Sequence, residues 1–273
     1  MNKLIVFTDL DGTLLDHNDY GWEGAKPALA ELESNLFPVI INSSKTAAEI
    51  IEIRKQINNF APFICENGTV ANIPKYHFSK DFSVSTHQSS FDVHNFGKSY
   101  TEITSILREL REKYKFRFRG FNNMSVDELM LETSLDRIQA ENAMQRQGAE
   151  PIIWLDSEKQ LDKFKSLLKV KALTLTSGGR FYHVMSPVDK GQAVKWLSKQ
   201  YKNYCTRTNW KSVGLGDSFN DVSMLESVDY PILINNPAAI QPDVSHIKNI
   251  RKMELSGPDG WGKAVLEILG QFT

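Results

Sequence analysis

Two cysteines, Cys65 and Cys205, in a chain of 273 residues are too few for a disulfide scaffold. No stretch approaches the roughly 18–20 consecutive apolar residues of a membrane span. An excess of one charge is also missing: 32 Lys and Arg stand against 33 Asp and Glu, for a net charge of −1. That balance excludes a general electrostatic footprint for nucleic acid or an anionic membrane. With 10 prolines and 16 glycines, a collagen-like or low-complexity chain is excluded as well. At the start, Leu4-Ile5-Val6-Phe7 gives way at once to Thr8 and Asp9, whereas a secretory signal needs roughly 7–15 apolar residues. The expectation is a soluble, cytoplasmic protein with no nucleic-acid, membrane or obligate protein partner. What is present is a hydrophobic content of 41%, ample for a sizeable core, in a chain long enough for two domains.

Short apolar runs alternate with helical patterns at both ends of the chain. Leu4–Phe7, Pro38–Ile41 and Phe63–Cys65 read as buried strands, each ending in polar residues. The spacing of Ala28, Leu29 and Leu32 predicts a helix over 23–34, and Ile50, Ile51 and Ile53 predict another over 46–56. Ser212–Leu215 and Pro231–Ile234 repeat the strand theme. Continuous apolar strands between amphipathic helices indicate a parallel sheet covered on both faces. The middle, from about Phe78 to Pro187, is more polar. It predicts helices over 99–114 and 135–147, strands over 152–155, 173–176 and 181–185, and an amphipathic strand carrying Phe116, Phe118 and Phe121. These patterns imply an α+β module inserted into the first domain. The expected division is a discontinuous core of 1–85 and 188–273 and an insert of 86–187.

The chemistry gathers at strand ends. In an open parallel sheet, ligands bind beyond the carboxyl ends of the strands. Asp9-Leu10-Asp11-Gly12-Thr13 therefore presents two carboxylates to such a site. One carboxylate can attack a phosphoryl group, and a second can protonate the leaving oxygen and then activate water. Gly12 lets the backbone turn closely. Alone, Asp-x-Asp after a strand is more often a solvated turn. Ser43 ends the second strand, where a hydroxyl and the amides opening the next helix suit a phosphoryl oxygen; Ser44 or Thr46 would cap that helix. Lys190 opens a helix, a locally unfavourable place for a cation that implies an anionic neighbour such as Asp9 or a phosphate. Gly216-Asp217 through Asn220-Asp221 ends another strand in carboxylates. Mg²⁺ takes one or two carboxylates with waters and substrate oxygens, which Asp9, Asp217 and a backbone carbonyl supply, with Asp221 behind them.

Four such pieces in this order resemble the motifs of the haloacid dehalogenase (HAD) superfamily of phosphohydrolases, and the resemblance spans the chain. It implies an α/β fold: a HAD-like Rossmannoid parallel-sheet core with an inserted α+β (type C2B) cap, as in the type IIB branch. Asn42-Ser43-Ser44-Lys45-Thr46, Glu66-Asn67-Gly68, Gly178-Gly179-Arg180-Phe181-Tyr182-His183 and Gly257-Pro258-Asp259-Gly260-Trp261 resemble, more closely, the mannosyl-3-phosphoglycerate phosphatases. The resemblance implies Asp9 as nucleophile and Asp11 as general acid and base. Ser43 and Lys190 would hold the phosphoryl group, with Asn220 reaching it. Mg²⁺ would be held by Asp9, the Asp11 carbonyl and Asp217.

For the phosphorylated glycoside, the same resemblance points to Ser44, Lys45, Asn67 and Gly179, with Arg146 and Arg180 suited to a carboxylate. Glu150 could accept sugar hydroxyls, and His183 is either a ligand-facing or a satisfied core histidine. Arg146-Gln147-Gly148-Ala149-Glu150-Pro151 departs from the Arg-Glu-x-Ser-Glu-Pro of many members, which bears on the sugar and not on the phosphoryl chemistry. A broader sugar-phosphate phosphatase, a phosphomutase-like transferase and a catalytically silent binding protein remain alternatives. Polar linkers near 80–90 and 186–190 should let the cap open and close.

Overall fold

The computed structural model describes residues 2–78, 91–178 and 181–272. Along the chain its strands are β1 (Asn2–Thr8), β2 (Val39–Asn42), β3 (Phe63–Cys65), β4 (Val70–Pro74), β5 (Phe91–Asn95), β6 (Phe118–Gly120), β7 (Ala149–Trp154), β8 (Thr174–Gly178), β9 (Phe181–Met185), β10 (Asn209–Gly216), β11 (Tyr230–Asn235) and β12 (Arg251–Ser256). Its helices are α1 (Lys26–Ser34), α2 (Ala47–Gln56), α3 (Tyr100–Tyr114), α4 (Val126–Thr133), α5 (Arg137–Ala143), α6 (Glu158–Val170), α7 (Lys190–Tyr204), the single turn α8 (Val222–Leu225) and α9 (Gly257–Leu269). No helix among the described residues is long and apolar enough to cross a membrane.

The unbroken apolar run of β1 makes it a central strand, because both of its faces must be covered. Leu4 and Val6 point into one hydrophobic layer with Ile50 of α2, Leu32 of α1 and Trp261 of α9. Ile5 and Phe7 point into the opposite layer with Val194 and Leu197 of α7. The large sheet runs β12-β11-β10-β1-β2-β3-β4-β5. It is parallel from β12 to β3 and antiparallel at β3–β4 and β4–β5. The chain leaves β1 for β2 on one side, while β10 returns on the other. The crevice above β1 and β10 is therefore the switch point at which α/β sheets bind ligands. Asp9 follows β1 there and its amide donates to the Leu215 carbonyl at 2.9 Å.

The smaller sheet runs β6-β7-β9-β8, antiparallel throughout, and packs against α3 and α6 through Ile103, Leu107, Phe164 and Leu168. Three expectations change. The helix over 135–147 is confined to α5, and a separate helix, α4, precedes it; capping boxes at Ser125 and Asp136 open the two. Ser134, with φ of 63°, turns the chain between them, and the backbone beyond α5 is drawn away to Glu66. The aromatic strand shrinks to β6; Phe116, Phe118 and Phe121 are all buried, but Phe121 begins a 3-10 turn. Finally, β5 pairs with β4, so the large sheet extends past the boundary at residue 86.

Candidate active site

The site is built around a buried lysine. Lys190 opens α7 and is 1% exposed, yet its Nζ donates to Asp9 Oδ1 at 2.7 Å and to Asp221 Oδ1 at 2.6 Å. Burial works to lower the Lys190 pKa, but the two carboxylates outweigh it and hold the ammonium charged well beyond its usual range. Asp9 is 6% exposed. Burial, reinforced by Asp221, Asp217 and Asp11, pushes its carboxyl well above the ordinary value against the pull of Lys190. The expected anionic neighbour of Lys190 is thus Asp9, joined by Asp221. Asn42, wholly buried at the end of β2, fixes the start of α7 by donating to the Lys190 carbonyl at 3.2 Å.

Beneath Asp9, Thr8 Oγ1 donates to the Asp9 carbonyl at 2.7 Å and accepts from Trp261 Nε1 at 2.9 Å. The Gly257–Trp261 motif therefore serves the fold, placing an indole under the strand that carries the nucleophile candidate.

Asp217 follows β10. Its Oδ1 accepts from Thr13 Oγ1 at 2.8 Å and its Oδ2 from Asn236 Nδ2 at 2.6 Å. Burial and the charge of Asp221 raise its pKa. Asp221 is fully buried: Oδ2 accepts from the amides of Asp217 and Ser218, both at 3.1 Å, and from Ser218 Oγ. With Oδ1 taken by Lys190, both Asp221 oxygens are engaged within the protein, which suits a supporting position.

Oxygens of Asp9, Asp217 and Asp221 lie within 4.8 Å of one another. Three carboxylates face one ammonium in a buried space, a negative surplus that would be costly without a further cation. All-oxygen donors of this charge suit a hard divalent ion, so the residues present fit Mg²⁺. In addition, Asp11 Oδ1 is buried with no hydrogen-bond partner, while Asp11 Oδ2 pairs with Lys45 Nζ at 3.0 Å.

A cleft of about 750 Å³ opens above these groups. Asp9, Asp11, Ser44, Asn67, Lys190, Asp217 and Asn220 line it from the large sheet. Thr176, Ser177, His183 and Met185 line it from the smaller one. Ser43 is 1% exposed; its carbonyl accepts the Asn67 amide, and Thr46 is the residue that caps α2. Asn67, held at φ of 59°, accepts from Asn220 Nδ2 at 3.0 Å.

The other candidates are placed differently. Arg146 donates to the carbonyls of Ser44, at 3.2 Å, and Ala143, joining the two halves of the molecule. Glu150 is fully buried, accepts from Tyr100 Oη at 2.7 Å and the Asn122 amide at 3.0 Å, and does not line the cleft. His183 does line it; burial, with Arg146 nearby, lowers its pKa to about 4, so it is neutral, and its Nδ1 has no partner. Gly179 and Arg180 lie outside the described residues.

Thr13, Asn236 and Glu66 were not singled out as site residues from the sequence. Asn236 could have been: it stands just beyond the apolar run of β11, where the other strands carry their functional residues.

A buried lysine among carboxylates at the switch point of a parallel sheet, below a second sheet, is an arrangement suited to phosphoryl transfer. The chain belongs to the haloacid dehalogenase-like hydrolase family, which it matches over residues 6–244, and it is a phosphoric monoester hydrolase. Over 269 residues it is 36% identical to the glucosyl-3-phosphoglycerate/mannosyl-3-phosphoglycerate phosphatase of Methanococcoides burtonii, covering 98% of each chain. It is 34% identical to the phosphatase of the same name from Persephonella marina over 271 residues, again covering 98% of each. Its fold is similar to that of a solved HAD subclass IIB sugar phosphatase, with a TM-score of 0.65, 15% identity, and 98% of this chain and 99% of that one covered.

Proposed function

We propose that this enzyme is a Mg²⁺-dependent phosphatase that converts mannosyl-3-phosphoglycerate to mannosylglycerate and phosphate through an aspartyl-phosphate on Asp9. The observation that most supports this reading is the Lys190–Asp9 contact of 2.7 Å at the floor of a cleft roofed by the smaller sheet, in a chain similar end to end to phosphatases named for these glycosides.

An Asp9 oxygen attacks phosphorus as the bond to the glycerate oxygen breaks. Asp11 gives its proton to that leaving oxygen, then takes one from the water that attacks the acyl phosphate and frees Asp9. The unpartnered Asp11 Oδ1 is available for this exchange, while Lys45 holds the other oxygen. Lys190 steadies Asp9 and offsets charge on the phosphoryl oxygens, and Ser44 and Asn220 border the same space. Asp9, the Asp11 carbonyl and Asp217 would hold Mg²⁺, which supplies further charge neutralisation when bound. The large sheet is read as the catalytic core, and the smaller sheet with α3–α6 as the cap that selects a small phosphorylated glycoside, in the cytoplasm. The neutral His183, Thr176 and Ser177 offer hydrogen-bonding groups to sugar hydroxyls.

Phosphate release from mannosyl-3-phosphoglycerate, its glucosyl analogue and simple sugar phosphates, with Mg²⁺ and with EDTA, tests the reading. Metal-dependent preference for the glycosyl phosphoglycerates is expected. Equal or better turnover of simple sugar phosphates would overturn the substrate and keep the chemistry.

A further inference from the structure

Glu66 is a buried carboxylate that the proposed reaction does not use. It follows β3 with φ of 51°, a left-handed conformation uncommon for residues other than glycine, and is wholly buried. Its Oε1 accepts the Gln147 amide at 2.7 Å; its Oε2 accepts the amides of Gly148 at 3.0 Å and Ala149 at 2.7 Å. Three successive N–H groups converging on one anion form a backbone nest, here occupied by the protein's own carboxylate. The donors lie 81 to 83 residues away, where the chain enters β7 of the smaller sheet.

The surroundings show what this contact joins. The Glu66 amide donates to the Lys45 carbonyl at 3.0 Å, and the next residue, Asn67, bonds to the Ser43 carbonyl and to Asn220. On the other side, Arg146 reaches the Ser44 carbonyl, and Thr46 Oγ1 donates to the Asn142 carbonyl at 2.8 Å. Gly148 fits because any side chain there would press on Thr69, at 2.7 Å from its Oγ1. The Gln147 side chain accepts weakly from Cys65 Sγ rather than facing the cleft.

We propose that Glu66 is a positioning residue: its carboxylate clasps the 147–149 backbone of the cap and thereby sets Arg146 and the cap sheet over the phosphoryl site. Glu66 touches no reacting atom. It acts through Arg146 and through the entry to β7, and two oxygens are needed because three donors must be met. Glutamine cannot replace it, since its amide nitrogen would face a backbone donor. This inference rests on the glycosyl-phosphoglycerate reading for its substrate, though not for its geometry.

The test compares wild type with Glu66→Gln on mannosyl-3-phosphoglycerate and on p-nitrophenyl phosphate, an ester small enough to need only the core groups. Losing charged hydrogen bonds of this kind predicts a fall of about 10- to 100-fold in kcat/KM for the glycoside, carried mainly by KM. Activity on the small ester should stay within about twofold. Arg146→Ala should give the same selective loss, and the double variant should lose less than the product of the two. Equal losses on both substrates, or no loss on either, would overturn the proposal. Amide hydrogen exchange provides a second readout: the 147–149 amides should exchange faster in Glu66→Gln, and unchanged protection would overturn the clasp. Should wild type fail on every glycosyl phosphoglycerate, the substrate reading falls while the exchange result still decides the role of Glu66.

Discussion

Lys190 Nζ and Asp9 Oδ1 meet at 2.7 Å although 181 residues separate them. The pair places a full positive charge against the candidate nucleophile at the first residue of a helix, where the helix dipole alone would disfavour it. Asp9 and Asp221 supply what the helix does not. Lys190→Met should lower kcat about 100- to 1,000-fold, as removal of a preorganised transition-state partner does. It should also destabilise the fold by about 3–5 kcal/mol, because two buried carboxylates lose their counter-charge. Lys190→Arg should not rescue, since a planar fork does not replace a point charge held between two oxygens. Steady-state kinetics and urea denaturation check both parts; rescue by arginine would count against the geometry.

Asp9→Asn should abolish turnover, by about 10⁴-fold or more, while the protein stays folded. The amide keeps the shape and relieves the crowding of negative charge with Asp221 and Asp217. Rapid quench with a phosphate-labelled substrate should trap a protein-bound phosphoryl group in wild type and none in the variant. Labelling that persists in Asp9→Asn would place the nucleophile elsewhere.

Metal dependence should be visible without an assay of turnover. Mg²⁺ bound at the Asp9–Asp217 pocket would stabilise the folded state by mass action, about 2.7 kcal/mol at a hundredfold excess over its Kd. The melting temperature should therefore rise with Mg²⁺ and return with EDTA. Asp217→Asn should shift the required concentration upward by about tenfold or more. A Mg²⁺-independent melt in wild type would speak against a metal at this position.

Gly68 has φ of 94°, and any side chain there would run into the Asp189 carbonyl just before Lys190. Gly68→Ala is thus expected to cost about 1–3 kcal/mol through backbone strain and to reduce kcat, because relief requires moving Lys190. Differential scanning calorimetry together with kinetics tests the coupling. A variant with normal melting and normal kcat would show that the loop adapts.

His77 should contribute a pH dependence to stability that has nothing to do with catalysis. Its ring nitrogen Nε2 lies 2.8 Å from Tyr201 Oη. Burial, with Arg54 nearby, lowers its pKa from the usual 6.5 to about 4. The folded state therefore refuses a proton that the unfolded chain accepts. This contribution is complete above pH 6.5 and is lost as the pH falls from there towards about 4. In His77→Gln the decline of melting temperature over that window should be shallower than in wild type. An unchanged slope would show that His77 titrates normally.

The core of this protein was legible because its chemistry sits at the ends of apolar strands. Leu4–Phe7 and the run before Asp217 announce buried parallel strands, and in such a sheet the carboxyl ends share one edge. Asp9, Asp11 and Asp217 are brought together by that rule and line one cleft, whereas Ser43 does not line it. Lys190 was legible for a different reason, its misfit at a helix start. The half of the chain around the smaller sheet was less legible. The helix expected over 135–147 ends early, at Ala143, because the backbone beyond it turns to Glu66, and α4 before it starts at its own cap, Ser125.

By itself, the sequence determined the α/β class, the strand-end carboxylates and the family motifs, since these depend on local hydrophobic pattern and on residue order. Tertiary structure alone decided the partners: Asn236 on Asp217, Lys190 between Asp9 and Asp221, and Glu66 on three distant amides. Such contacts depend on which side chains share a buried space, and burial makes each polar group find a partner that no local spacing specifies.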